Sequence, residues 1–137
     1  MKWLLWFDLP LILGFAAAVV AYAWAWDARH VIGMTIAALG TALWFTARLQ
    51  LGKSFAIGPK AKALVTRGLY SKFRNPIYVF GGLAYGGLFI AWGRPAPLIA
   101  FVLLYPIYQF LRARKESQVL ERAFGDEYRR YKAGTWL

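Results

Sequence analysis

The chain has 137 residues, 60% of them hydrophobic and 18% aromatic, and its 17 Lys and Arg against six Asp and Glu give a formal net charge of +11. This length predicts one domain, and a mean hydropathy of +0.43 excludes an ordinary soluble protein. The absence of cysteine excludes disulfides and thiolate metal sites, and a single histidine, His30, excludes a histidine-based metal site or a Ser-His-Asp triad within one chain.

The first predicted element is a membrane helix over about residues 4–26, formed by the apolar block Leu9–Trp26 and the aromatic residues before it. Lys2, an apolar core and Ala21-Tyr22-Ala23 also resemble a signal peptide with its cleavage site. The apolar stretch is longer than a signal core and rich in tryptophan. We therefore favour a retained helix.

Three further apolar blocks predict helices over about residues 31–47, 76–92 and 95–111. A spanning helix needs roughly 20 predominantly apolar residues, a length that these blocks approach with their flanking aromatics. The expected fold class is therefore all-α: a polytopic membrane protein with four transmembrane helices in a single membrane domain over 1–137. A cytoplasmic amphipathic helix is expected to follow them.

The placement of the basic residues predicts the orientation of these helices. Only Arg29 and Arg94 lie in the short turns over residues 27–30 and 93–95, which are expected outside. The 48–75 loop and the tail after the fourth block contain the rest of the juxtamembrane charge: Arg48, Lys53, Lys60, Lys62, Arg67, Lys72, Arg74, Arg112, Arg114, Lys115, Arg122, Arg129, Arg130 and Lys132. Basic residues concentrate in cytoplasmic loops. Both termini are thus expected inside, with anionic lipid headgroups rather than nucleic acid as the partner of the charge.

Two features of the third helix have both structural and functional interpretations. Pro76 suits a first helical turn, Asn75 before it suits an extended N-cap, and Tyr78 suits the aromatic belt of a membrane interface. A helix N-terminus also favours anionic ligand groups. The pattern Gly82-x-x-x-Gly86 is typical of close helix packing, and equally leaves room for a ligand.

Two polar segments, about 60–78 and 112–131, lie next to the predicted third and fourth helices. The outer turn between those helices is very short, so an antiparallel hairpin is expected to bring the two segments together on the cytoplasmic side. Arg112 and Glu116 are four residues apart on the helix that leaves the membrane. An apolar stripe follows, which lies on the membrane or covers the site, and which Gly125 is expected to interrupt: Leu120, Phe124, Tyr128 and Tyr131.

Together these motifs resemble the isoprenylcysteine carboxyl methyltransferase family, which belongs with the membrane phospholipid methyltransferases. The resemblance covers about residues 62–131 and rests on Leu64-Val65-Thr66-x-Gly68-x-Tyr70, Arg74-Asn75-Pro76-x-Tyr78, Arg112-x-x-x-Glu116 and Phe124-Gly125-x-Glu127-Tyr128-x-x-Tyr131. The family usually has histidine where this chain has Asn75. It often has a second glutamate where this chain has Ser117.

The resemblance implies a methyltransferase that uses S-adenosylmethionine and acts on a lipid-like or prenyl-type substrate, with carboxyl O-methylation favoured. Arg112 matches the position that holds the substrate carboxylate, and Arg112 with Glu116 would be the catalytic pair. The cofactor contacts carried over by position are Lys62, Ala63, Leu64, Val65, Tyr70, Asn75, Pro76, Ile77, Tyr78 and Glu116.

Two other functions are compatible with the sequence. One is a membrane reductase that uses a nicotinamide cofactor, because some sterol-type reductases have a similar polar pair of C-terminal helices. The other is a non-enzymatic subunit whose basic segments only bind lipid. A homodimer is also compatible with the large lipid-facing surface of four short helices.

Overall fold

The computed structural model describes residues 2–22, 27–52 and 64–136, with the side chains of residues 11–21 in the first range. These residues form helices only, and no strand is present among them. The α-helices are α1 (Lys2–Tyr22), α2 (Ala28–Leu51), α3 (Pro76–Trp92), α4 (Pro95–Phe124) and α5 (Asp126–Ala133), and a 3-10 helix covers Gly68–Ser71. The all-α prediction is therefore confirmed.

Two helices, α2 and α4, are long and apolar enough to cross a membrane, whereas Leu11–Ala21 and α3 are shorter apolar helices. The described residues therefore contain two clear candidate spans where the sequence predicted four. Helix α2 is longer than predicted at both ends, and α4 continues past Leu111 to Phe124. Arg112 and Glu116 thus belong to the same continuous helix as the apolar block before them.

Small residues allow α2 and α3 to pack closely along their length. A Cβ added at Gly33, Gly40 or Gly87 would overlap the backbone of the facing helix. Gly82 and Gly86, the predicted packing pair, instead face the rings of Tyr105 and Phe101 on α4. Close helix packing is thus correct for α3 as a whole, but the G-x-x-x-G pair itself accommodates aromatic side chains.

The two ends of this helical arrangement differ in their polar contacts. At one end the Asp27 carboxylate caps α2 by accepting from the His30 backbone N–H at 2.8 Å. Arg29 there donates to the Gly93 carbonyl at the end of α3, 3.5 Å away. At the other end lie the C-terminus of α2, the 3-10 helix and the start of α3, together with the C-terminal half of α4. That second end contains the predicted site residues.

Candidate functional site

Helix α3 begins at the edge of the site with a proline. Pro76 is buried in the first turn, where its missing N–H breaks no helical hydrogen bond. The Asn75 carbonyl accepts from the backbone N–H groups of Tyr78 and Val79 at 3.0 and 3.2 Å. Asn75 occupies the N-cap position, but its side chain makes no capping bond and its backbone (φ −126°, ψ 57°) is not extended. The predicted side-chain cap is therefore wrong, and the amide is left for another role.

Tyr78 joins α3 to α4 at the centre of the site. Its hydroxyl donates to Glu116 Oε2 at 2.7 Å, and the guanidinium carbon of Arg112 lies 4.9 Å from the centre of its ring. The Tyr78 carbonyl accepts from the Tyr105 hydroxyl at 2.8 Å. Arg112 and Glu116 thus meet at Tyr78, and no ion pair joins the two within the described residues. The predicted convergence of the segments before α3 and at the end of α4 is correct.

The 3-10 helix supplies a second tyrosine to the same region. Tyr70 is 6% exposed, and burial raises the pKa of its phenol well above the ordinary value, with the negative charge of Glu116 acting in the same direction. Gln50 at the end of α2 accepts from the Leu69 backbone N–H at 2.8 Å. Tyr70 therefore remains a neutral hydroxyl near Glu116, in a turn that α2 holds in place.

The C-terminal segment covers the loop that precedes α3. The Tyr131 hydroxyl donates to the Tyr70 carbonyl at 2.8 Å, and the Trp136 backbone N–H donates to the Lys72 carbonyl at 2.9 Å. Tyr128 is 2% exposed and shares a hydrogen bond with Ser117. Of the tyrosines in the predicted apolar stripe, Tyr131 is thus bonded to the loop before α3 and Tyr128 to α4. Gly125 separates α4 from α5, which confirms the expected interruption.

The side chain of Arg74, in the loop before α3, has an unsatisfied hydrogen-bond donor among the described residues. The Nε of Arg74 is buried and has no hydrogen-bond partner among the described residues. Burial raises the pKa of Tyr131 to about 12, the charge of Tyr128 adds to the effect, and the Arg74 cation opposes it. Arg74 therefore lies near Tyr131 with a donor directed away from water. Such a donor suits an anionic ligand group.

The predicted cofactor residues fall into two groups. Leu64, Val65 and Ile77 are half-buried in the segment that leads into and begins α3. That segment also contains Tyr70, Asn75, Pro76 and Tyr78. Lys62 and Ala63 lie outside the described residues.

Sequence reasoning missed several residues that the structure adds. These are Gln50, Tyr105, the bond between Ser117 and Tyr128, and the contact of Trp136. Tyr105 had a usable signal, because it precedes Arg112 by two helical turns and so shares its face. Gln50 had none, since its partner is a backbone N–H in a distant loop.

Comparison with known proteins identifies one family. The family model described as phospholipid methyltransferase matches residues 28–127, which is more than half of the chain. A search of curated proteins found no match. The matched region runs from the start of α2 into α5 and includes Tyr70, Tyr78, Arg112 and Glu116.

Proposed function

Because the chain belongs to the phospholipid methyltransferase family, which makes it a membrane methyltransferase, we propose that it transfers a methyl group from S-adenosylmethionine to a lipid-like substrate. One observation carries this proposal. Tyr78 brings Glu116 and Arg112 together at the start of α3, and the cofactor segment and the substrate-binding arginine thereby share one site. A protein that only binds lipid through its basic segments has no need of this arrangement.

The residues of the site fit S-adenosylmethionine, which supplies a methyl group on a positively charged sulfonium. The unpartnered Nε of Arg74 and the N-terminus of α3 suit the carboxylate of the cofactor. Glu116 and the ring faces of Tyr70 and Tyr78 suit its hydroxyls and its cationic part. Leu64, Val65, Asn75, Pro76 and Ile77 would line the same groove, and Lys62 and Ala63 remain predictions.

Arg112 is the proposed substrate-binding residue. Its guanidinium carbon lies 4.9 Å from the centre of the Tyr78 ring, and the N–H donors of a guanidinium suit a carboxylate. Carboxyl O-methylation neutralises two opposite charges, and a site at the membrane boundary favours such a reaction because it is partly shielded from water. Holding the reactants at near-attack distance contributes about 7–11 kcal/mol in well-oriented intramolecular reactions. The residues of the chain therefore contribute to the reaction by positioning the two reactants.

An amine acceptor would need a proton acceptor, and the structure favours one candidate for that role. Glu121 accepts from Arg129 Nε at 2.9 Å, beside α5, so its carboxylate is already engaged. Glu116 lies at Tyr78 and faces the site. If the acceptor is the amine of a phospholipid, Glu116 is the group that would take up its proton.

We also propose that the site faces the cytoplasm. Exposed basic residues surround the site end of the molecule, among them Arg114, Lys115, Arg122, Arg130 and Lys132. The positive-inside rule places such a surface on the cytoplasmic side, next to anionic headgroups. The methyl acceptor would then reach Arg112 from the bilayer, and the cofactor from the water.

Calorimetry of the purified protein with S-adenosylmethionine, S-adenosylhomocysteine and NADPH tests the proposal. We expect both adenosyl ligands to bind, NADPH not to bind, and Glu116→Ala to abolish adenosyl binding in a folded protein. Tyr108→Ala is a matched control, because the side chain of Tyr108 is largely exposed. NADPH binding without adenosyl binding would instead support the reductase.

A further inference from the structure

One face of α4 carries three contacts with Tyr78. Tyr105, Arg112 and Glu116 each touch Tyr78, and they are separated by seven and four residues, close to whole numbers of turns. Gln109 lies between Tyr105 and Arg112 on this same face, one turn further into the apolar part of the helix than Arg112. It is therefore positioned beside the substrate-binding arginine.

The amide oxygen of Gln109 has no hydrogen-bond partner among the residues that the structure describes. Its Oε1 atom is buried and accepts no hydrogen bond from the described residues. The residues on either side of it, Tyr108 and Phe110, are 61% and 64% exposed, so the amide is directed away from the surface that they cover. An unsatisfied amide is unfavourable in an apolar region, and most buried polar groups in proteins are hydrogen-bonded. A leucine would fill the same space without that cost.

We propose that Gln109 is a specificity-determining residue whose amide oxygen accepts a hydrogen bond from an N–H or O–H group of the methyl acceptor. This inference rests on the proposed function and adds a second substrate contact to it. Arg112 holds the charged end of the acceptor, and Gln109 binds the polar atoms one turn deeper. The amide of a lipidated amino acid presents such a donor beside its carboxylate, whereas the amine of a phospholipid headgroup lies on the water side of its phosphate and would meet Glu116 instead.

The position of Gln109 assigns it to the substrate rather than to the cofactor. Glu116 and the segment from Leu64 to Tyr78 form the cofactor side, and Glu116 lies on the opposite side of Arg112 along α4. Gln109 is on the side that continues into the apolar half of the helix, where a lipid chain would lie. A residue there is closer to the lipid-like acceptor than to the adenosyl group.

Two variants test the role of Gln109 in the intact protein reconstituted in nanodiscs. Gln109→Leu removes the polar group, and Gln109→Asn retains a neutral amide oxygen. Methyl transfer is measured with phosphatidylethanolamine and with N-acetyl-S-farnesylcysteine, and S-adenosylmethionine affinity by calorimetry. We expect Gln109→Leu to raise the KM of the acceptor about 10- to 100-fold, to leave cofactor affinity unchanged and to leave the melting temperature unchanged or higher. Gln109→Asn should recover part of the loss.

Tyr108→Leu is the matched control, because it removes a neighbouring polar group from the exposed side of α4. We expect the KM for N-acetyl-S-farnesylcysteine to respond to Gln109→Leu, and a response of phosphatidylethanolamine alone would contradict the assignment to an amide N–H. The inference alone is overturned if Gln109→Leu leaves the KM of the acceptor unchanged. It is also overturned if a weaker cofactor affinity or a lower melting temperature accounts for the loss of activity. Failure of the unmodified protein to bind S-adenosylmethionine overturns the proposed function with it.

Discussion

Tyr78 and Glu116 are 38 residues apart in the chain and are joined by a hydrogen bond of 2.7 Å between the first turn of α3 and the C-terminal half of α4. Apolar packing of two membrane helices does not require this bond. It places an acidic group at the start of α3, where a cationic ligand would otherwise be disfavoured by the helix dipole. The bond also aligns the Tyr78 ring beneath Arg112.

Replacing Tyr78 with phenylalanine removes the hydrogen bond and keeps the ring. A hydrogen bond to a charged group contributes about 1.5–3 kcal/mol, so the freed Glu116 should move or become solvated. We expect S-adenosylmethionine to bind about tenfold more weakly to Tyr78→Phe by calorimetry. Tyr108→Phe, which changes the same atom on the exposed side of α4, should bind normally. Equal affinity in both variants would show that the bond does not shape the cofactor site.

Arg112 tests the substrate side separately. Lysine retains the charge but loses the guanidinium contact with the Tyr78 ring, a cation–π interaction of about 0.5–2 kcal/mol, and the bidentate donor edge. We expect Arg112→Lys to raise the KM of the lipid acceptor while cofactor affinity stays within about threefold. Steady-state methyl transfer with calorimetry on the same preparation measures both. A parallel loss of cofactor affinity would contradict a substrate role.

The α2–α3 contact predicts a large difference between two glycines. A Cβ at Gly87 would overlap the backbone of α2 at Ala37, whereas a Cβ at Gly14 of α1 has no atom within 4 Å. Overpacking costs about 1–3 kcal/mol, so Gly87→Ala should lower the melting temperature in detergent. Gly14→Ala should leave it unchanged or raise it, because alanine is the better helix former. Similar melting temperatures for the two variants would mean that α2 and α3 are not in such close contact.

Tyr131 predicts a pH-dependent contribution to stability. Its hydroxyl holds the Tyr70 carbonyl, so Tyr131→Phe should cost about 1 kcal/mol at neutral pH. Folding raises the pKa of Tyr131 from 10.0 to about 12, so above pH 10 the unfolded chain releases this proton first. The stability advantage of the unmodified protein over Tyr131→Phe should be constant below pH 10 and shrink between pH 10 and 12. A difference independent of pH would contradict the burial of this hydroxyl.

Asn75→His tests the departure from the usual family motif. The Asn75 side chain makes no capping bond, so the start of α3 does not depend on its amide. We expect the histidine variant to fold normally and to bind S-adenosylmethionine within about threefold of the unmodified affinity. Asn75→Leu, which has no hydrogen-bonding group, should bind more weakly. Loss of binding in a folded Asn75→His would show that the position requires the amide itself.

The helices and the end of the molecule that contains the site were predictable from local properties of the chain. Pro76 and Gly125 act within a few residues of themselves, and the structure places helix boundaries at both of them. Hydropathy did not predict that α4 extends to Phe124, because a charged helical turn is compatible with both a continued helix and a loop.

Contacts between residues far apart in the chain became known from the structure. Arg112 and Glu116 were predicted as neighbours on one helix, and the structure connects them through Tyr78 instead. The sequence marked Ser117 only as the position of a missing second glutamate, whereas the structure shows its hydrogen bond with Tyr128. The composition of the chain predicts a basic, all-helical membrane protein, because whether a segment is buried in lipid depends on the hydropathy of that segment alone. Hydrogen bonds across the fold depend on the relative placement of helices, which no local pattern encodes.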